Sequence, residues 1–321
     1  MDLIYTNASR ADQGVLPSHS FDLSYGADEN DFALTLGHGE ATLEPGAYIY
    51  IEGTEYGGIV GGMKTSTDGK YITYNGRTWH GIINSKVIEP DPGEDYLVVS
   101  GDANELLAFL IARLGLSDLF VVPDEQSGVT INSHKFHRYC KGYDGVRDML
   151  GDNGAKLLIT WQDCAVTLSA KPVVDYTDDP LDSDSVSLSV EQHSQKVNHL
   201  ICLGKGDLAE REVIHLYANE DGAIVDTQHY TGLDEITDIY ENANAESSEE
   251  LRNEGIARFK KLRNTDSADI SVTESSEILY DIGDIVGATE LRTGIGVAAA
   301  VSQKIVKIKN GAVSIDYKTG G

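Results

Sequence analysis

VNHLICLGKG, residues 197–206, is open to two readings, and the choice between them decides the fold. As a phosphate-gripping loop, Gly204-Lys205-Gly206 would open onto a helix N-terminus, with Ser or Thr after the lysine to reach a metal ion, inside a nucleotide-binding α/β domain. As the end of a strand, it belongs to a β-rich protein. Lys205 is followed by Gly206 and Asp207, and the next run, EREVIHLYA, reads as a strand. Gly204 and Gly206 are thus predicted to be a strand-to-strand connection whose glycines permit positive φ.

Working outward toward the C-terminus, GAIVDTQ continues the strands, and GLDEITDIYENA leads to a helix over SSEELRNEGIARFKKLRN. Ser247 and Glu250 form a capping box there, and Leu251, Gly255, Phe259 and Leu262 share one face, which predicts a helix half buried on a sheet. The chain closes with ADISVTES, GDIVGATE and a long hairpin, AAAVSQKIVKIKNGAVSIDYKTG, turning at Asn310-Gly311. A second barrel of β-strands with an inserted helical pair is the simplest reading of this half.

Toward the N-terminus, the first ninety residues hold short β-rich runs separated by glycine-rich or acidic turns: DLIYT, FDLSYG, DFALTL, AYIYIEG, YGGIVGGMKTS and KYITYNGRTWHGIINSKVI. That spacing predicts a barrel or sandwich. Asn75-Gly76 reads as a tight turn, so Tyr71 to Trp79 is predicted to be a hairpin. Between the two β-rich halves, Asp102 and Glu105 cap a helix through Leu106, Leu107, Phe109, Leu110, Ile111 and Leu114 that is apolar almost all round and is expected to be buried. A second helix over YDGVRDMLGDNG and a strand pair, AKLLITWQDCAVTLSA, turning at Gln162-Asp163, complete a small α/β insertion. DYTDDPLDSDS, residues 175–185, is an acidic connector with little to bury.

At 321 residues the chain can bury a large core and divides into several domains. Its 25 Lys and Arg against 52 Asp and Glu give a net charge of −27, which repels nucleic-acid phosphates and acidic membranes. Cys140, Cys164 and Cys202 form no CxxC pair and are expected to be reduced and mostly buried. MDLIYTNASRADQG turns polar after five residues, and no stretch approaches about 18 apolar residues, so a soluble chain without a signal peptide is expected.

Four further patterns suggest chemistry. Gly294, Gly296 and Ala299 match GxGxxA with Asp316 downstream, but GATELRT is not a buried apolar strand and too little chain follows for a dinucleotide-binding unit. His134, His137 and Cys140 have helical spacing for a soft divalent cation, yet a closed zinc site needs a fourth ligand. Asp175, Asp178, Asp179, Asp182 and Asp184 lack the spacing and terminal Glu of a dedicated calcium loop. There is no GxSxG elbow. The residues thus give no catalytic, cofactor-binding or metal assignment, and an adventitious metal at His134/His137/Cys140 or the Asp175–Asp184 loop is all that stays open.

Four strings together carry a resemblance: YNGRTWHGIINSKVIEPDPGEDYLVVSGDANELL, GYDGVRDMLGDNGAKLLITW, VNHLICLGKGDLAEREVIHLYANEDG and TGLDEITDIYENANAESSEELRNEGI. In that order the chain, from about residue 65 onward, resembles siphophage tail proteins related to the baseplate hub, also called tail-tip or tail-associated proteins. NHLICLGKG is the most specific block. The resemblance implies an α+β, mainly β protein with two tube-forming β-barrels and inserted peripheral segments, assembled as a homotrimer at the distal end of the tail tube. Together with the pattern of runs, on which the N-terminal barrel alone rests, this gives an expected division into residues 1–98, an N-terminal barrel; 99–174, an inserted α/β domain; 175–230, strands of a second barrel; 231–266, a helical insertion; and 267–321, strands completing that barrel. The resemblance further implies synthesis in the host cytoplasm and a place at the virion tail tip. The implied partners are a distal tail protein, a tape measure and a fibre or spike, with DNA passing an acidic lumen without capture and no membrane anchor. Cofactors are none. Many hubs extend into a peptidoglycan-cleaving or receptor-binding module, whereas SIDYKTGG follows the last predicted strand directly, so no enzymatic role is expected. The competing class is a peptidoglycan or polysaccharide hydrolase, which would need paired carboxylates about 5–10 Å apart in a cleft.

Overall fold

The computed structural model describes every residue except 67, 68, 179, 183–186, 192, 194, 246, 264–266, 274–278, 310 and 321. It divides into two compact units, residues 1–189 with 268–319 and residues 190–267 with 320–321.

In the first unit, a large mainly antiparallel sheet runs in the order Ser187–Glu191, Ser267–Thr273, Ala312–Thr319, Ile295–Lys309, His19–Gly26, Asp31–Gly37, Tyr71–Thr78, Gly57–Lys64, Tyr48–Tyr50, Ile4–Thr6 and Asp12–Val15. Ile285–Glu290 also pairs with Ile295–Lys309, and Leu181–Asp182 pairs with Ile285–Glu290. The protein is mainly β, as its alternating runs predict. Pairing of Gln303–Lys309 with Ser20–Gly26 joins the N- and C-terminal strands into one sheet. Among the described residues the pairing is an open path, with no ring of strands closed. The acidic segment 175–185 is more than a connector, because it supplies Leu181–Asp182 to that sheet.

The Asn75-Gly76 hairpin does not form. Tyr71–Thr78 is one continuous strand, followed at once by helix α1, Trp79–Asn84, whose first turn is capped by Thr78 Oγ1 accepting from the Gly81 amide at 3.2 Å. Gly76 serves packing instead. A Cβ there would lie 2.0 Å from the Ile59 carbonyl oxygen and 2.5 Å from the Phe32 ring. Gly58 has the same reason, with positions 2.2 Å from the Arg77 carbonyl oxygen and 2.9 Å from Phe32. Phe32, 3% exposed, thus lies across backbone that carries no side chains. Gly76→Ala is expected to lower stability by about 1–3 kcal/mol through overpacking. An unchanged midpoint in urea unfolding would contradict this packing.

The α/β segment packs into the same unit. Helix α2, Ala103–Arg113, has Asp102 as its N-cap, with a 2.9 Å bond from the Asn104 amide. It is not buried all round, since Phe109 is 44% exposed while Leu107 and Leu110 are fully enclosed. Helix α3 is Gly142–Gly151. Strands Ala155–Gln162 and Ala165–Pro172 turn at Asp163-Cys164, both at positive φ, one residue later than predicted. Trp161 stacks on Trp79 at 5.2 Å and on Tyr50 at 4.2 Å, tying this segment to the N-terminal strands through one apolar core.

In the second unit, four strands run in the order Ile224–Val225, Val213–Ala218, His199–Leu203 and Thr237–Glu241. Residues 199–225 therefore pair with 237–241 in their own sheet rather than with 267–321. Helix α4, Ser248–Arg263, covers one face, burying Leu251, Gly255 and Phe259 against Leu200, Cys202 and Leu216. The Ser247 hydroxyl accepts from the Glu250 amide at 3.2 Å, the expected cap.

Candidate functional site

The patterns singled out in the sequence have these places among the described residues. Gly204-Lys205-Gly206 ends strand His199–Leu203: the Gly204 amide donates to the Glu212 carbonyl and the Glu212 amide returns a bond to Lys205. No helix N-terminus of usable length follows it, only the single turn Leu208–Glu210. The positive φ, +99°, is at Gly206, whereas Gly204 is small because a Cβ would meet Leu251 Cδ2 at 2.7 Å and Glu212 Oε2 at 2.9 Å. Lys205→Ala is therefore expected to change stability by less than about 0.5 kcal/mol, and Gly204→Val to cost about 1–3 kcal/mol. Equal midpoints for the two variants in urea would refute this assignment.

Gly294 sits at φ +71° in the turn between Ile285–Glu290 and Ile295–Lys309, and Gly296 and Ala299 lie within the second strand, so the GxGxxA stretch is a hairpin. His134 lies on strand Thr130–Lys135, its Nδ1 3.5 Å from Asp152 Oδ2. His134, His137 and Cys140 do not converge on a common point, and no set of three metal-ligating side chains does so among the described residues. Asp175 caps its own turn through bonds from the Thr177 amide and hydroxyl, while Asp179 and Asp184 lie outside the described residues. Of the three thiols, Cys202 is buried, Cys140 is half-buried and Cys164 is exposed on the hairpin turn.

A cluster that the sequence reading missed lies inside the first unit. On strand Ile295–Lys309, Lys304 faces the same side as Val306 and Ile308 and is 3% exposed. Its cross-strand neighbours are Tyr25 and Tyr317, whose ring centroids lie 5.9 and 5.8 Å from Nζ. Nζ donates to Glu55 Oε1 and lies 3.9 Å from Asp281 Oδ1. Asp281 and Asp284 in turn hold Lys156 Nζ, with contacts of 2.8 Å to Asp281 and 2.7 and 2.8 Å to Asp284. Asp284, fully enclosed, also accepts from the Val174 and Asp281 amides at 2.9 Å. His80 on α1 completes the cluster, stacked on Tyr25 at 4.3 Å with Nε2 3.9 Å from Glu55. The charged chain runs from Lys156 of the α/β segment, through Asp281, Asp284 and Lys304 of the C-terminal part, to Glu55 of the N-terminal part, with His80 beside it.

Its electrostatics follow from burial. Burial alone would push the Lys304 ammonium down, but the Glu55 carboxylate outweighs it and holds the group above the ordinary lysine range. Lys156 is raised in the same way, burial being overcome by its bonds to Asp281 and Asp284. His80 goes the other way: burial first, then the Lys304 charge, lower it to about 3, so it is neutral at pH 7. The lysines are thus cationic braces rather than general bases. Asp281 and Asp284 are paired carboxylates, but they converge on a lysine in the interior, with Asp284 closed to any substrate. What this cluster can do is fasten three sequence-distant parts of the chain.

No protein-family model matches the chain, and no curated protein matches it in sequence. Solved structures do match its fold. A 43 kDa tail protein of prophage MuSo2 from Shewanella oneidensis aligns with TM-score 0.60 at 13% identity, over 99% of this chain and 98% of its own. A tail protein from Neisseria meningitidis aligns with TM-score 0.58 at 11% identity, over 100% and 96%. A prophage tail protein, gp18, from Listeria monocytogenes aligns with TM-score 0.56 at 11% identity, over 99% and 94%. The fold is that of phage tail proteins along its whole length. Among the described residues, no helix is long and apolar enough to cross a membrane.

Proposed function

We propose that this chain is a structural tail protein, the baseplate hub or tail tip of a tailed phage or tail-like particle. It assembles as a homotrimer that closes the tail tube and lets DNA pass. The observation that carries this reading is the near-full-length match of fold to tail proteins, with at least 99% of this chain and 96% of each of those two chains covered. The continuous sheet from N- to C-terminal strands supports a tube-building role for residues 1–98 and 267–321, with 99–174 and 231–266 as peripheral insertions. The net charge of −27 gives such a lumen a use, because a wall poor in Lys and Arg does not capture phosphates.

The partners that fit this role are the distal tail protein, the tape measure and a fibre or spike, and the location is the virion tail tip of a siphophage-like particle. The hydrolase reading gains no support from Asp281 and Asp284, a carboxylate pair committed to Lys156. Mass photometry and cell-wall zymography on the purified chain test both. The hub reading expects a species of three times 34.8 kDa and no cleared band. A monomer at all concentrations, or clearing lost on changing one carboxylate, would overturn it.

A further inference from the structure

A solvated sheet face normally carries polar side chains opposite its buried apolar ones. The four-stranded sheet of the second unit departs from that rule. Leu200, Cys202 and Leu216 lie under α4, and alternation puts their neighbours on the other face in three rows across the strands. Val213 and Glu241 flank Leu203; His215 and Ile239 flank Ile201; Tyr217 and Thr237 flank His199. Ile239 in the central row is 60% exposed and Val213 in the Leu203 row 45% exposed, so aliphatic side chains stand open on this face. At the Leu203 end the connecting turn presents Leu208, 95% exposed and at φ +51°, a region non-glycine residues seldom occupy.

One row of the face is tied by side-chain bonds. The His199 ring is bonded on both sides, Nδ1 to Glu235 Oε1 at 2.7 Å and Nε2 to His215 Nδ1 at 2.8 Å, and it stacks on Tyr217 at 4.4 Å. Side chains already fixed lose little freedom when covered. Its charge is one-sided: residues 190–267 hold 16 Asp and Glu against 8 Lys and Arg. Five of those eight, Arg252, Arg258, Lys260, Lys261 and Arg263, are on α4, which packs on the opposite face. Arg211 is committed to Glu241 and to the Gly204 carbonyl. Outside α4 the unit holds 13 Asp and Glu against Lys196, Lys205 and Arg211, and beside the open face stand Glu235, bonded to His199, and Glu241, bonded to Arg211.

We propose that this face docks a basic protein partner that seats aliphatic or aromatic side chains over Ile201, Val213 and Ile239 and sets cationic ones against the surplus of carboxylates around them. A second copy meeting it face to face would bring like charges together. Addition of a partner strand to the edge at Thr237–Glu241 is disfavoured, because the Ile239 amide is bonded by the Asp238 carboxylate at 2.9 Å. The inference stands apart from the hub assignment, since it needs only this unit's surface.

The test uses the full chain and two nine-residue peptides, one alternating Lys with photo-leucine and one alternating Glu with photo-leucine. After irradiation, cross-links are mapped by mass spectrometry. The lysine peptide is expected to label 199–217 and 237–241, to lose about tenfold of that labelling in Ile239→Lys, and to exceed the glutamate peptide throughout. Labelling spread over other acidic surfaces, labelling unchanged in Ile239→Lys, or equal labelling by both peptides would overturn the proposal. So would self-association in sedimentation that Ile239→Lys abolishes, which would assign the face to a second copy.

Discussion

Replacing Lys304 with Met is expected to lower the unfolding free energy by about 3–5 kcal/mol, the range for removing one partner of a buried ion pair. Methionine keeps most of the stem volume between Tyr25 and Tyr317, so the loss is electrostatic. Glu55, whose side chain is 20% exposed, is left without its ammonium, and Asp281 loses the more distant of its two lysines. Adding Glu55→Gln should restore part of the loss, because a neutral amide in that site no longer needs a counter-charge. Urea unfolding at pH 7 by circular dichroism reads both. A single-variant loss below about 1 kcal/mol, or a double variant as unstable as the sum of its singles, would show that the cluster does not brace the fold.

Acidification should destabilise the protein through His80. Its folded value of about 3 lies below the ordinary 6.5, so between those limits the unfolded chain binds a proton that the folded one refuses. Stability is full above 6.5 and is lost as pH falls toward 3. The loss amounts to about 2 kcal/mol by pH 5 and about 3 kcal/mol by pH 4. His19, lowered mainly by burial, acts with the same sign. His80→Phe keeps a ring on Tyr25 and removes the titration, so its stability should be flatter between pH 7.5 and 5 than that of the parent. Parallel pH profiles for the two would place the acid sensitivity elsewhere.

Local chemistry read well wherever the physical cause was local. Asp102 and Ser247 are caps because a short oxygen-bearing side chain precedes each helix, and Gly311 takes φ +86° just before strand Ala312–Thr319, while Asn310 lies outside the described residues. Asn75-Gly76 has the same letters and the opposite outcome. Its glycine answers to Phe32, forty-four residues away, and no local pattern announces a ring lying across a strand. The cationic cluster was half legible. In KIVKIK, Lys304 shares its parity with Val306 and Ile308 while Lys307 and Lys309 share theirs with Ile305, which already puts one lysine inward. Its partners at Glu55 and Asp281 come from turns whose positions only the tertiary fold sets. The separate sheet of residues 199–241 was missed for a related reason: periodicity shows that segments are strands, not which strands they pair with.

Negative-stain electron microscopy of the purified protein tests most directly the proposed ring at the end of a tail tube. The account predicts ring-shaped particles with three-fold symmetry and an open central channel. Compact particles with neither ring nor channel would contradict it.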